Sequence, residues 1–180
     1  MLHTLRDGTR VRIRPIEPGD KSRLQHALGR LSRESIRRRF LVAKPVLSAA
    51  ELRYLTEVDG TDHLALVAVL EDDGDQIVAV ARCVRLEPGG EQAEFAIVVG
   101  DPIQGEGLGT VLAAALADAA CQAGIRRFAA TTLADNDAVQ RLMDTFATRL
   151  EHEAIEGGVR ELVAVLPDCA PDTAGGRLAA

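Results

Sequence analysis

Between Gln92 and Leu133 the hydrophobic period of the chain changes twice. Gln92–Val99 is an apolar, valine-rich run of strand character. Gly107–Ala123 then carries Leu108, Val111, Leu112, Ala115, Leu116 and Ala119 on one helical stripe, and Ile125–Leu133 is a second strand-like run. Gly124 stands where a helix end takes a left-handed residue. Two strands separated by a helix of this length cannot form a hairpin. They must lie parallel, joined by a crossover, and the rest of the chain has to be arranged around that unit.

The remaining runs supply partners. Arg10–Arg14 alternates with period two and closes at Pro15. Asp20 is placed to cap a helix bearing Leu24, Leu28 and Leu31, Ser32–Phe40 has Ile36 and Phe40 at helical spacing, and Ser48 opens a short helix containing Leu52 and Leu55. His63–Glu71 and Gln76–Leu86 flank the turn signal Asp72-Asp73-Gly74-Asp75, and with Gln92–Val99 they make an antiparallel meander. After the crossover, Asp135 or Asn136 caps a helix running to about Arg149, and strands near Glu151–Glu156 and Val159–Leu166 turn at Gly157-Gly158. The expected class is α/β (α+β): a mixed sheet of about seven strands with helices on both faces. One domain spans residues 5–167, and 168–180, small and polar, reads as a disordered tail.

Composition removes several function classes. The 21 basic and 27 acidic residues leave a net charge of −6, which argues against a nucleic-acid partner. No run approaches the ~18 apolar residues of a membrane span, and the N-terminus has no secretory core, so neither membrane nor export is expected and the setting is read as cytoplasmic. Cys83, Cys121 and Cys169 make no Cys-x-x-Cys or Cys/His cluster, so no metal site and free thiols are expected.

The densest signal is Ile97-Val98-Val99-Gly100-Asp101-Pro102-Ile103-Gln104-Gly105-Glu106-Gly107-Leu108-Gly109-Thr110. Glycines between a strand and a helix let backbone N–H groups approach an anion, with the helix N-terminus aimed at it. No lysine follows the glycines, which excludes a P-loop. Thr110 stands where a dinucleotide fingerprint needs its third glycine, and Thr131 and Thr132 occupy the place of its ribose-binding acid.

Gln104, Gly107 and Gly109 form a Gln-x-x-Gly-x-Gly pattern that resembles the acetyl-CoA loop of the GCN5-related N-acetyltransferase (GNAT) superfamily, and the element order agrees over about residues 5–166. Leu5-Arg6-Asp7-Gly8-Thr9-Arg10-Val11-Arg12-Ile13-Arg14-Pro15-Ile16, Leu31-Ser32-Arg33-Glu34-Ser35 with Arg39-Phe40, and Ala93-Glu94-Phe95 resemble the bacterial Pat-type protein lysine acetyltransferases more closely still. The resemblance implies acetyl-CoA as co-substrate. The amides of Gln104, Gly105, Glu106, Gly107, Leu108, Gly109 and Thr110 would hold its pyrophosphate. Ile97, Val98 and Val99 would run beside the pantetheine, with an N–H near Ile97 or Val98 polarising the thioester carbonyl. Asn136 matches an asparagine that contacts the pantetheine, and it is equally placed to cap the following helix.

Acetyl transfer needs a neutral amine, and a lysine ammonium of pKa ~10.4 must first lose a proton. Glu94 lies inside an apolar strand, where a buried carboxylate requires either a partner or a raised pKa. In the Pat-type branch the matching glutamate is the general base. The tyrosine that many GNAT enzymes use as general acid is replaced by Met143, seven residues after Asn136. Arg37-Arg38-Arg39 reads chiefly as a solvated helix face, and His63 as a weak proton-relay candidate. The expected acceptor is a protein lysine. A small-molecule amine acceptor, and a non-catalytic acyl-CoA sensor, are the alternatives.

Overall fold

The computed structural model describes residues 1–40, 46–72, 74 and 76–168. Its strands are β1 (Leu2–Thr4), β2 (Arg10–Pro15), β3 (His63–Leu70), β4 (Ile77–Arg85), β5 (Gln92–Val99), β6 (Arg127–Leu133), β7 (Arg149–Glu156) and β8 (Val159–Val165). They form one mixed sheet in the order β1-β2-β3-β4-β5-β6-β8-β7. All seven expected strands are present. The eighth, β1, pairs Leu2 with Arg12 and Thr4 with Arg10, ahead of the expected domain start, and its three residues are too few to show a period. The helices are α1 (Lys21–Gly29), α2 (Arg33–Phe40), α3 (Ala49–Thr56), α4 (Leu108–Gln122) and α5 (Asp137–Phe146).

Local chemistry sets the ends of these elements. Ser48 and Glu51 make a reciprocal capping box at the start of α3. Gly124, at φ 84°, stops α4 as expected, and Gly157 and Gly158 turn β7 into β8 at φ 58° and 80°. Asp20 precedes α1 but does not cap it. Its carboxylate is fully buried and accepts a two-pronged bond from Arg14 at 2.7 and 2.8 Å, with Arg23 at 3.2 Å and the Glu17 N–H at 2.9 Å. An ion pair outcompetes the cap because a buried carboxylate needs a full positive charge beside it.

Helices cover both faces of the sheet. Leu108, Leu112 and Leu116 of α4 pack over Ala79, Ala81 and Cys83 of β4, and Phe95, Phe128 and Phe146 cluster beside them with ring centroids 5.2–6.0 Å apart. On the opposite face Leu24 and Leu28 of α1, with Leu47, cover Val67, Val69, Ile77 and Val80. Cys83 is a buried free thiol. Among the described residues no helix is long and apolar enough to cross a membrane. The expected tail beyond Asp168, and positions 73 and 75 of the β3–β4 turn, lie outside the described residues.

One detail of the sheet positions everything that follows. β5 and β6 pair in parallel over only Gln92↔Arg127, Ala93↔Phe128 and Glu94↔Ala129, and beyond these they diverge.

Candidate active site

The divergence of β5 and β6 opens a cleft, and the register of β5 decides which backbone groups face it. Gly100 N–H donates to Val78 O at 2.8 Å and Leu86 N–H donates to Gln92 O at 3.0 Å. In an antiparallel ladder bonded pairs alternate, so the even-numbered residues of β5 bond towards β4. Ile97 and Val99 therefore turn their backbone groups towards the gap left by β6. Of the two N–H groups expected near a carbonyl, Ile97's is the one free of the β4 ladder, and Val98's is spent within the sheet.

The loop after β5 folds back on the strand. A Cβ on Gly100 would lie 3.1 Å from Val78 O, so a side chain there would have to push the β4 backbone aside by a few tenths of an ångström. Gln104 Nε2 donates to Val99 O at 2.9 Å and to Ser35 Oγ at 3.2 Å, which makes its side chain a brace for the loop. Asp101 accepts from Ser32 N–H at 2.9 Å, Ser32 Oγ at 2.7 Å and Ser35 Oγ at 2.8 Å. Burial pushes the Asp101 pKa up, but these donors outweigh it and hold the carboxyl below its usual value. Gly105 and Gly107 then take φ 86° and 88°, a region costly to any residue with a Cβ. α4 begins at Leu108 with no acidic residue in its first turn and no side-chain cap, leaving its first amides and dipole for an anion.

The cleft has a volume of about 480 Å³. Of the expected residues, Ile97, Val98, Val99, Gln104, Gly105, Gly107, Gly109, Thr110 and Asn136 line it. Leu108 is buried in the core, where only its amide can serve. Glu106 is not among the lining residues, and its carbonyl instead receives the Arg6 N–H at 3.5 Å. Asn136 makes no cap bond. Its Nδ2 donates to Thr132 Oγ1 at 2.9 Å, which fixes the amide at the cleft wall.

Three arginines that the sequence did not single out as ligands also line the cleft: Arg6 from the β1–β2 loop, Arg38 from α2 and Arg141 from α5. Only Arg38 carried a signal, within the basic run 37–39. The structure places it at the cleft wall, where its Nε also donates to Glu34 at 2.7 Å. The acidic total of the chain thus coexists with a locally basic cleft.

Glu94 departs from the expectation of burial, because it is exposed. Strand alternation turns Ala93 and Phe95 into the core and Glu94 outward, on the same face as Ala96 and Val98. It lies in one cross-strand row with Val84 and His63. His63 is buried against the Tyr54 ring at a centroid distance of 4.9 Å, and burial together with the neighbouring Arg82 lowers its pKa to about 4. Arg82 Nη1 lies 3.2 Å from His63 Nε2, which must accept because arginine only donates. A neutral, tethered imidazole makes His63 a poor proton relay. Met143 is fully buried on the core side of α5, so its position presents no group to the cleft.

A family model described as acetyltransferase (GNAT) domain matches residues 10–146. The chain is 40% identical over 141 residues to Acetyltransferase Pat of Mycolicibacterium smegmatis, an alignment covering 78% of this chain and 41% of that protein. It is 33% identical over 142 residues to Acetyltransferase PA5475 of Pseudomonas aeruginosa, covering 78% and 76%. Among solved structures, the GNAT domain of S. lividans PAT superposes with a TM-score of 0.81 at 34% identity, covering 92% of this chain and 96% of that one. The chain thus spans about two fifths of the length of the mycobacterial Pat it matches.

Proposed function

This chain belongs to the GNAT acetyltransferase family, and from that premise we propose that it transfers the acetyl group of acetyl-CoA to a protein lysine, with Glu94 as general base. The observation that carries the reading is the Ile97 N–H, left free of the β4 ladder at the point where β5 and β6 part, beside a glycine loop and three arginines.

In this reading the pyrophosphate lies against the loop amides and the N-terminus of α4, and the pantetheine follows β5. The amine nitrogen attacks the thioester carbonyl carbon while the Ile97 N–H holds the developing oxyanion. The carbon–sulfur bond breaks, CoA leaves as a thiolate with pKa ~8.5, and a departing group of that acidity needs little help from an acid. That accords with the inward-facing Met143. The proton of the amine passes to Glu94. Three residues of strand, about 10 Å, separate Glu94 from Ile97, so a water relays it. The exposure of Glu94 supports a lysine carried by a macromolecule, because the base lies where a surface side chain reaches it without entering an enclosed pocket.

The test is thiol release from acetyl-CoA with lysine-bearing proteins and peptides, set against amino acids and polyamines. Turnover with the protein acceptors is expected to exceed that with small amines. Glu94→Gln should lower kcat by about two to four orders of magnitude with acetyl-CoA affinity intact. Unchanged turnover in Glu94→Gln would remove it as the base, and acetyl-CoA binding without release to any acceptor would favour a sensor.

A further inference from the structure

A second cavity, of about 220 Å³, lies on the face of the sheet that carries Val98. Its floor is Ile77–Val80 of β4 with Ala96 and Val98 of β5, and its roof is Leu24, Ala27 and Leu28 of α1 with Leu31 just beyond the helix. Val98 and Ile103 line this cavity and the cleft alike, so the two spaces meet at the strand segment assigned to the thioester. The far end of the same face holds Glu94, opposite Val84 and in line with His63. The cavity runs from Arg82 and Ala96, two residues along their strands from Val84 and Glu94, to Leu70, Gln76 and Ile77 at the other end.

The chemistry of the walls selects an occupant. Among the described lining residues there is no aspartate or glutamate, and the charged ones are Arg30 and Arg82. Arg30 Nη2 donates to Ile77 O at 3.2 Å and Arg82 Nη2 to Leu55 O at 3.3 Å. A cationic amine would meet two guanidinium groups there, whereas a hydrocarbon chain would meet leucine, isoleucine and valine. We propose that this cavity receives the acyl chain of CoA thioesters longer than acetyl, making the protein a transferase of short- to medium-chain acyl groups. The proposal rests on the donor site described above. The bond changes are those of acetyl transfer: the carbonyl carbon–nitrogen bond forms, the carbon–sulfur bond breaks, and the amine proton leaves to the base.

Calorimetric titration of the full chain with CoA, acetyl-, butyryl-, hexanoyl- and octanoyl-CoA tests it. Each methylene taken into the cavity should tighten binding roughly threefold to fourfold until the space is filled. In Ala27→Phe, which fills the cavity from α1, the ratio of octanoyl- to acetyl-CoA affinity should collapse towards one. Ala27→Leu, a smaller change should the phenylalanine disturb folding, should reduce the ratio partway. Flat or falling affinity with chain length in the unmodified protein would overturn the proposal. So would a length dependence that survives in both variants, since the chain would then lie elsewhere. Failure of CoA and every thioester to bind would remove the donor reading itself, a result distinguishable from tight acetyl-CoA binding with no preference for length.

Discussion

Ser32 Oγ donates to Asp101 Oδ1 at 2.7 Å, so the start of α2 is bound to the loop that follows β5 across 69 positions of sequence. Ser35 and Gln104 extend the same network to Val99 O. The loop that faces the cleft is therefore shaped by α2, a helix that itself lines the cleft through Ser35 and Arg38. The phrase Leu31-Ser32-Arg33-Glu34-Ser35 gains a physical reason: its serines are the donors that Asp101 requires.

Removing that carboxylate should loosen the loop without unfolding the sheet. Asp101→Ala is expected to weaken acetyl-CoA binding about 10-fold, the worth of roughly one charge-assisted hydrogen bond after solvent competition. Ser35→Ala should weaken it less. Calorimetry reads the affinity, and an unchanged far-ultraviolet spectrum shows that the fold is kept.

Gly109 and Gly107 should separate binding from stability. A Cβ on Gly109 would meet only Val99 Cγ2 at 3.7 Å and Leu142 Cδ1 at 3.9 Å, ordinary contacts with two residues of the cleft wall. Gly109→Ala should therefore fold at least as well as the parent, gaining up to about 1 kcal/mol from helix propensity, yet lose acetyl-CoA affinity by tenfold or more because the methyl narrows the cleft. Gly107→Ala, at φ 88°, should lose affinity and about 1–2 kcal/mol of stability together. Denaturant melts and titrations on both variants check this.

Asp20→Asn should cost about 3–5 kcal/mol, since it removes the buried negative charge that both Arg14 and Arg23 face. Burial alone would raise the Asp20 pKa, but the bonds from Arg14, Glu17 N–H and Arg23 outweigh it and leave it lowered. A depressed folded pKa means that the stabilisation is complete above the unfolded value of about 3.9 and is lost as pH falls through the folded value. The stability gap between parent and variant should thus be wide at pH 7 and narrow below about pH 4. Urea melts across that range supply the measurement.

His63 gives acid sensitivity in a different window. Its folded pKa of about 4 lies below the unfolded 6.5, so the unfolded chain takes up the proton first. Stability is complete above about pH 6.5 and falls as pH drops towards 4, by roughly 2–3 kcal/mol at pH 4.5. In His63→Gln the slope of stability between pH 6.5 and 4.5 should flatten by that amount.

What the sequence determined by itself was local. The change of period at residues 92–133 dictates a parallel crossover, and the glycines between strand and helix dictate an anion-facing loop, because side-chain alternation, helical stripes and positive φ are properties of a few adjacent residues. Ser48, Gly124 and the Gly157-Gly158 turn were legible for the same reason. Only the tertiary structure decided which side of β5 faces the core. A glutamate among apolar neighbours reads as buried, yet alternation puts Glu94 on the open end of a face that α1 covers only farther along. It also decided that the Ile97 N–H rather than that of Val98 is free, that Met143 points inward, and that Arg6, Arg38 and Arg141 converge on one cleft. Register and charge convergence depend on distances between residues far apart in the chain, and those distances exist only once β5 and β6 have paired and then parted.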